Sequence, residues 1–311
     1  MEFKHIPVML YECIDGLNIK PDGVYVDCTL GGAGHSLEIA KRLSSKGTLI
    51  CIDKDIEAIN ASKQRLQGQQ PNIIFVNDDF KNFQNIISQC GYEKVDGVLI
   101  DLGVSSYQID NGERGFSYRF DAPLDMRMNK SQSLSADTVV NEYSYEQIVK
   151  ILFEYGEESF AKSIARNIIK ERETKKIETT LQLVKIIEKS VPAKVLHKGG
   201  SVAKKTFQAI RIEVNGELED LDRVLNQMVN SLNIGGRLVV LTFHSLEDRI
   251  VKNVFKDNAT GCICPKELPI CVCHHKEAIK LVNKKPIIAT NEELKNNSRS
   301  TSAKLRIAEK V

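Results

Sequence analysis

The sequence predicts an α/β fold, in which a parallel β-sheet is covered by helices on both faces and a helical segment is inserted between two strands. Three observations predict it. Short apolar strands alternate with amphipathic helices through the first hundred residues, strand signals stop after residue 101, and they return at residues 235–243. Strands that are apolar throughout are typical of sheets covered on both faces. We expect a discontinuous sheet domain at residues 1–135 and 205–311 and an all-helical insertion at residues 136–204.

Four predicted strands lie in the first third of the chain. They cover residues 24–26, 48–52, 73–76 and 98–100, and apolar residues recur at helical spacing over 37–43 and 56–66. Because parallel strands that alternate with helices end at one edge of the sheet, the residues after these strands are expected to line one crevice.

The middle of the chain has a different character. Residues 107–133 are polar with few periodic apolar positions, which predicts a long loop, and a loop of that length is usually functional. Beyond it the signal is helical only: Ile148, Leu152 and Tyr155 recur at helical spacing, and Thr179 is suited to cap the next helix.

The charge balance excludes a chain that is basic along its whole length. The 311 residues include 43 Lys and Arg against 41 Asp and Glu, a formal charge of +2. The basic residues are local, however: residues 193–212 carry five positive charges and no acid, and residues 276–311 carry nine positive and four negative. Because the start of the chain lacks an apolar signal region and no apolar run is long enough for a bilayer, we expect a cytoplasmic protein with reduced thiols.

A glycine turn and a series of acids mark the predicted crevice. Gly31-Gly32-Ala33-Gly34 joins a strand to a helix, where backbone N–H groups are accessible to a ligand. The acids that follow the strands are Asp53, Asp78, Asp79 and Asp101. Alone, each acid is more often a helix cap, and the turn lacks the G-x-G-x-x-G spacing of dinucleotide enzymes. Together they suit a ligand with a ribose, an adenine and a positive charge, which S-adenosylmethionine combines.

Several strings of residues form a recognisable pattern. The two most specific are Pro123-Leu124-Asp125-Met126-Arg127-Met128 and Phe243-His244-Ser245-Leu246-Glu247-Asp248-Arg249, and others lie at residues 5–8, 25–27, 29–36, 101–106, 114–117, 206–212, 214–215, 298–300 and 303–306. With them the chain resembles, nearly end to end, the RsmH (MraW) family of bacterial methyltransferases, which modify N4 of a cytosine in small-subunit ribosomal RNA.

The resemblance implies a fold and a partner. The fold is a class I S-adenosylmethionine-dependent methyltransferase (Rossmann-like) sheet with an inserted all-helical domain, which we assign to RNA recognition. The partner is 16S rRNA of the small ribosomal subunit. The oligomeric state stays open, with a homodimer as one option. There are four departures: Thr29 stands where methyltransferases in general usually carry glycine, Lys205 and Thr301 stand where the family usually has arginine, and residues 198–201 do not match the family consensus.

The resemblance also implies the cofactor contacts. They fall on Ala33, Gly34, His35, Asp53, Phe80, Asp101 and Gln108. The backbone of residues 33–35 would face the methionine part, Asp53 would accept hydrogen bonds from the ribose hydroxyls, and Phe80 would pack on adenine. Asp101 and Gln108 would lie near the reactive end.

Asp101 is the candidate catalytic residue. The exocyclic amine of cytosine is a poor nucleophile that must be aligned, and its hydrogens need acceptors as positive charge develops on nitrogen. The alternative is a structural carboxylate at a strand end, and residues 101–104 lack the Pro-Pro pair of many amino-methyltransferases.

The substrate contacts are predicted on five residues. Lys204 and Arg211 share one face of a predicted helix with Gln208 and Asn215, and both charges of that face are positive, which favours phosphate contact over an ordinary solvated face. Its apolar stripe would run through Phe207, Ile210, Val214, Leu218, Leu221 and Leu225. Replacing both cations by alanine is expected to weaken RNA binding and flatten its salt dependence. The other three candidates are His244, Asp125 and Arg127, with a structural histidine and a mutual ion pair as the alternatives.

Four of the eight cysteines crowd into one segment. Cys262, Cys264, Cys271 and Cys273 could hold zinc through four thiolates, or they are reduced thiols in a surface loop. Two other function classes stay open from the residues alone. One is a nucleotide-dependent oxidoreductase, which the glycine spacing and the crowded carboxylates disfavour. The other is a non-catalytic, zinc-dependent RNA-binding module, which would bind RNA without transferring methyl groups.

Overall fold

The computed structural model describes residues 7–105, 108–109, 112–196, 201–262, 264, 270, 272–273 and 276–311. They form two compact units: a sheet unit, from residues up to 103 and from 220 to 311, and a helical unit at residues 104–219. No helix among these residues is long and apolar enough to cross a bilayer.

The sheet unit contains eight strands. They are β1 Val24–Asp27, β2 Thr48–Asp53, β3 Asn72–Asn77, β4 Val95–Asp101, β5 Leu232–Thr242, β6 Ile279–Leu281, β7 Ile287–Ile288 and β8 Lys304–Lys310. Its helices are α1 Leu10–Leu17, α2 Gly34–Arg42, α3 Ile56–Arg65, α4 Phe83–Gln89, α11 Leu221–Asn230, α12 Ser245–Asn258 and α13 Asn291–Asn296.

The strand order is β3-β2-β1-β4-β5-β8-β6, with β7 paired to β8. Strands β1 to β5 are all parallel, and their registers bring Asp27 beside Cys51 and Leu99. The predicted parallel sheet is therefore confirmed, and each of its predicted strands is present. The class I methyltransferase fold implied by the resemblance has this architecture.

The C-terminal strands were not predicted. Strand β8 pairs antiparallel with β5 along six residue pairs, and its Leu305 and Ile307 are buried. The alternation of polar and apolar residues over Lys304–Lys310 is the signal of a strand with two different faces.

Six α-helices follow residue 135 in the described part of the helical unit. They are α5 Ala136–Glu142, α6 Tyr145–Glu154, α7 Ala161–Thr174, α8 Thr180–Ser190, α9 Ala193–Leu196 and α10 Ala203–Asn215. The predicted cap at Thr179 is confirmed, because its hydroxyl accepts the N–H of Gln182 and the Gln182 side chain accepts the N–H of Thr179.

The helical unit is larger than the predicted insertion of residues 136–204. Within the segment predicted as a polar loop, Phe116, Leu124, Met126 and Met128 are buried in the core that α5 to α10 form. Because these side chains pack in that core, the segment belongs to the helical unit. The buried face of α10 packs in the same core, which adds residues 203–215. The compact unit accordingly spans residues 104–219.

The single helix predicted from residue 204 to 225 is wrong. Helix α10 ends at Asn215, where Gly216 has φ 57° and its N–H caps the carbonyls of Glu213 and Ile212. Asp220, also left-handed at φ 56°, precedes α11. The apolar periodicity continues across this break because each helix buries its own stripe, Phe207 in the helical unit and Leu221 in the sheet unit.

Candidate active site

The glycine turn leads directly into α2. Gly31 and Ala33 have φ 47° and 57°, and the N–H of Ala33 donates to the Leu30 carbonyl at 2.7 Å. A Cβ on Gly34 would lie 2.1 Å from Cγ of Pro7, so only glycine fits there. The turn leaves the first N–H groups of α2 without acceptors inside the helix, which is where an anionic group binds.

Asp53 ends β2 and is bound to this turn. The N–H of Gly31 donates to its Oδ2 at 2.8 Å, and the N–H of Asp55 donates to its Oδ1 at 2.8 Å. Burial raises the pKa of Asp53 to about 6, although these two hydrogen bonds oppose the shift. Each carboxylate oxygen accepts one bond here and has capacity for another, as the acceptor of two ribose hydroxyls requires.

Asp27 and Thr29, at the C-terminal end of β1, form hydrogen bonds with α2 and with the end of β4. The hydroxyl of Ser36 donates to Asp27 at 2.6 Å, and the N–H of Thr29 donates to it at 3.1 Å. Burial raises the pKa of Asp27 above its ordinary value, against these two hydrogen bonds. The Thr29 hydroxyl accepts the N–H of Asp101 at 2.7 Å, so threonine makes a contact here that the glycine of most methyltransferases could not make.

Asp101 is the last residue of β4, and its two carboxylate oxygens have different surroundings. Its Oδ1 is shielded from solvent and has no hydrogen-bond partner among the described residues. Its Oδ2 lies 3.9 Å from Nδ1 of His35. Burial, followed by the negative charges of Asp27 and Glu247, raises the pKa of Asp101 well above its usual range. A carboxyl with this proton affinity and an unsatisfied oxygen is typical of a ligand-binding or catalytic position.

His35 is neutral beside it. Its Nε2 lies 3.1 Å from the carbonyl of Val8, to which it donates, so the Nδ1 lone pair faces Asp101. Burial lowers the pKa of His35 to about 4, although the Val8 contact opposes the shift. His35 thus lies beside Asp101 without adding a positive charge, and its contact with the cofactor stays a prediction.

These side chains fit S-adenosylmethionine. Asp53 supplies a ribose acceptor, Asp101 an unsatisfied buried oxygen, and the acidic edge as a whole suits a cation. Phe80, half-buried after β3, supplies an aromatic ring for adenine. The predicted Asp78 and Asp79 instead bond locally: Asp79 caps the N–H of Lys81, and Asp78 accepts from Asn82.

His244 is a helix cap. Its Nδ1 accepts the N–H of Glu247 at 3.4 Å, and its Nε2 lies 3.0 Å from the Glu247 carboxylate, off the hydrogen-bonding direction. Glu247 in turn accepts the N–H groups of Phe243 and His244. Both ring nitrogens thus face Glu247, which favours the structural alternative over RNA contact.

Gln108 lies in the helical unit and is buried. Its Oε1 accepts the N–H of Ser105 at 3.1 Å, and its own N–H donates to the Ser105 hydroxyl. The side chain therefore closes a turn, and its predicted contact with the cofactor stays a prediction.

Asp125 and Arg127 form the mutual ion pair considered as an alternative. The Arg127 guanidinium donates to both Asp125 oxygens at 2.8 and 2.9 Å and to the carbonyls of Lys130 and Gln132. Burial alone raises the pKa of Asp125, but the bonds from Arg127 dominate and lower it. Buried Arg114 donates to the carbonyls of Arg127 and Met128. The two arginines of this segment therefore form hydrogen bonds within the segment itself.

The polar face of α10 differs from the prediction. Arg211 donates to both oxygens of buried Glu217 at 2.8 Å, and Asn215 is buried and accepts the N–H of Met128. Gln208 donates to the Tyr155 carbonyl, whereas Lys204 is exposed. The expected cationic stripe is interrupted by Glu217, an acid that a single continuous helix would not have brought beside Arg211.

Two residues near the candidate site, Asp27 and Asp248, were not singled out from the sequence. Asp27 ends a strand just as Asp53 and Asp101 do, so its place was a usable signal. Asp248 accepts hydrogen bonds from Lys304 at 3.0 Å and from Arg306 at 2.7 Å. These bonds connect the family strings at residues 243–249 and 303–306. Burial raises the pKa of Asp248, but these bonds lower it below the ordinary value. Of the cysteine cluster, Cys262, Cys264 and Cys273 are described and converge, while Cys271 lies outside the described residues.

Comparison with known proteins gives consistent matches. The model of the MraW methylase family matches residues 2–311. Relatives called ribosomal RNA small subunit methyltransferase H, from Finegoldia magna, Clostridium botulinum (strain Kyoto) and Clostridioides difficile, are 54%, 56% and 53% identical, each over 100% of both chains.

Among solved structures, the chain is similar to an rRNA methylase from Streptococcus thermophilus, with a TM-score of 0.42, 12% identity and 99% of each chain covered. It is also similar to an S-adenosylmethionine-dependent O-methyltransferase from Thermotoga maritima, with a TM-score of 0.41, 11% identity, and 100% of this chain and 68% of that chain covered.

Proposed function

This chain belongs to the MraW methylase family, and on that premise we propose that it transfers a methyl group from S-adenosylmethionine to the N4 amine of a cytidine in 16S rRNA. The proposal includes the small ribosomal subunit as its partner and the cytoplasm as its place of action. The structural observation that carries it is Asp101, with its shielded, unsatisfied oxygen at the carboxyl end of β4. A methylase family also removes the oxidoreductase alternative.

The residues of the acidic edge would hold the cofactor. Asp53 would accept the ribose hydroxyls, Phe80 would stack on adenine, and the N-terminus of α2 would bind the carboxylate of the methionine part. S-adenosylmethionine supplies an electrophilic methyl group on a cationic sulfur when it is bound. The nearby carboxylates favour that positive charge, because among the described residues no lysine or arginine lies within ion-pair distance of Asp27, Asp53 or Asp101.

Asp101 is the residue that acts on the amine in this proposal. The N4 lone pair of cytosine is delocalised into the ring, so the amine must be turned and its hydrogens accepted before nitrogen becomes nucleophilic. Oδ1 of Asp101 is the acceptor, and the raised pKa of this carboxyl suits it to take the proton that the amine loses.

The isolated cysteines fit transfer to nitrogen without a covalent enzyme adduct. Cys13, Cys28 and Cys51 are buried, and burial raises the pKa of each thiol above its ordinary value. A thiol held protonated in the core is a poor nucleophile. In this proposal each has a packing role.

RNA would be bound by the two basic segments. Residues 193–212 belong to the helical unit and include exposed Lys204, and residues 276–311 belong to the sheet unit. Phosphate contacts of lysine and arginine give affinity but not sequence choice. The helical unit is proposed to recognise the RNA, and a homodimer is one arrangement in which it would do so.

A methyl-transfer assay tests the proposal. Small ribosomal subunits and free 16S rRNA from cells that lack the enzyme are incubated with the protein and labelled S-adenosylmethionine, and the nucleosides are identified by mass spectrometry. N4-methylcytidine in one or both RNA samples is expected, and large subunits serve as the control. Label only at C5 of cytosine, on another base, or nowhere would overturn the proposal, and RNA binding without transfer would favour the non-catalytic module.

A further inference from the structure

Three thiols converge in the segment between α12 and β6. The sulfur atoms of Cys262, Cys264 and Cys273 all lie within 4.8 Å of one another, although eleven residues separate the first from the last. Cys262 is exposed and the other two are half-buried. This cluster belongs to the sheet unit, and none of the cofactor or RNA residues named above lies in it.

The spacing of the sulfurs fits a metal better than a disulfide. Sγ of Cys262 and Sγ of Cys273 are 3.8 Å apart. A disulfide would bring them to about 2.05 Å. Two thiolates bound to one zinc at about 2.3 Å in a tetrahedral arrangement are about 3.8 Å apart. The N–H of Val272 also donates to Sγ of Cys264 at 3.4 Å, which orients this sulfur.

The large apolar side chains among the described residues of this segment are exposed. Its base is closed where the N–H of Ala278 donates to the Asn258 carbonyl at 2.8 Å. Beyond that base, the apolar side chains of Ile270 and Val272 are 74% and 64% exposed, so they add no buried core. A chain segment that buries little apolar surface is commonly held by a metal ion or a disulfide.

We propose that Cys262, Cys264 and Cys273 hold a structural zinc ion that fixes the segment between α12 and β6. Binding replaces three thiol protons by one Zn²⁺, so three protons leave to solvent and no electron is exchanged. All-sulfur or sulfur-rich tetrahedral sites select zinc or iron, and zinc suits a closed site without redox chemistry. The proposal is independent of methyl transfer.

Metal content is the first test. The full chain, purified without chelators, is analysed by plasma mass spectrometry and X-ray absorption. About one zinc per chain is expected, with three or four sulfur ligands at about 2.3 Å. Cys262→Ser, Cys264→Ser and Cys273→Ser should each lose the metal, while Cys90→Ser, at a half-buried cysteine outside the cluster, should keep it.

The outcomes that overturn the proposal are distinct. They are the absence of zinc after purification and after reconstitution with zinc alone, iron in its place, two or fewer sulfur ligands, or a Cys262–Cys273 disulfide in protein kept under reducing conditions. Zinc that stays at full occupancy in the three serine variants would also overturn it. None of these results depends on whether the protein methylates RNA.

Proteolysis tests the structural role of the ion. Lys276 is exposed beside the cluster and is a site for trypsin. Zinc-loaded protein should be cut slowly after Lys276, and removal of the metal by a chelator should speed that cleavage strongly, as should Cys264→Ser. Equal cleavage rates with and without zinc would contradict the claim that the metal fixes the segment.

Discussion

Two carboxylates of the helical unit, half-buried Asp125 and buried Glu217, face arginines, whereas the acids at the C-terminal ends of the parallel strands face backbone amides, hydroxyls and one another. Asp125 accepts two bonds from Arg127, and Glu217 accepts two from Arg211. Asp101, in contrast, has an oxygen with no hydrogen-bond partner among the described residues. The pKa of Asp125 is lowered by its arginine, and the pKa of Asp101 is raised by burial and by other acids.

This difference in partners separates acids that stabilise the fold from acids that can still bind a ligand. A buried acid paired within the chain is already neutralised, so a ligand gains little from it. A buried acid without a cation is costly to ionise, and a cationic or hydrogen-donating ligand removes that cost. The acids of the sheet edge are of the second kind.

The largest expected effect is on catalysis. Asp101→Asn should lower the rate of methyl transfer by about 10²–10⁴-fold, because an amide neither takes a proton nor offers the same acceptor. Its thermal stability should stay the same or rise, since a buried carboxyl with no ion pair is removed. Asp125→Asn is the matched control: it should lose stability and keep its activity per folded molecule. A fully active Asp101→Asn enzyme would break the comparison.

The next effect is on stability in the helical unit. Arg127→Met should lower the free energy of unfolding by about 2 kcal/mol, because it leaves Asp125 unpaired and two carbonyls without a donor, at a site that solvent partly reaches. Urea unfolding measures it, with exposed Lys204→Met as the control. A double variant that also carries Asp125→Asn should lose less than the sum of the single changes. Strict additivity would show that the pair is not coupled.

Asp53 and Asp125 should make the free energy of unfolding depend on pH in opposite directions. The pKa of Asp53 is raised to about 6, so its contribution to stability is full below its unfolded pKa of about 4 and is lost as pH rises through about 6. The lowered pKa of Asp125 contributes stability above about pH 4, which is lost as pH falls below it.

Cofactor affinity should rise as Asp53 ionises, whereas the contribution of Asp53 to stability falls. The reason is that the ionised carboxylate is the better acceptor of ribose hydroxyls. The affinity should weaken about tenfold for each pH unit below about 6, and Asp53→Asn should flatten that dependence. Calorimetric titration and urea unfolding across this range measure both effects. A wild-type affinity independent of pH would contradict this role of Asp53.

The smallest effect concerns RNA. Lys204→Ala should reduce the slope of log affinity against log salt by about 0.7–0.9, the value of one lost phosphate contact. Arg211→Gln, which removes the charge, should leave the slope unchanged, since Glu217 already pairs with the charge at this position. Binding to 16S rRNA fragments at several salt concentrations distinguishes the two. A slope that falls only in the Arg211 variant would reverse this assignment.

The five parallel strands could be predicted from the sequence because each is a short apolar run, whereas β6 and β7, of three and two residues, are too short to give such a signal. The edge acids followed from the same signal, since a residue that ends a parallel strand has a fixed place. The break at Gly216 was hidden because apolar spacing continued across it, and the pairing of Arg211 with Glu217 depends on that break. The segment at 107–133 looked polar because only a few of its residues enter the core, and local periodicity does not show long-range packing of this kind.

Proton release on cofactor binding tests the central claim most directly. S-adenosylmethionine is titrated into the protein at about pH 6 in two buffers of different ionisation enthalpy, which gives the number of protons exchanged. Because a cationic ligand at the sheet edge lowers the pKa of Asp53 and Asp101, net proton release is predicted, and Asp101→Asn should release fewer protons. Proton uptake, no exchange, or equal release from the variant would contradict the claim that these uncompensated acids form the cofactor site.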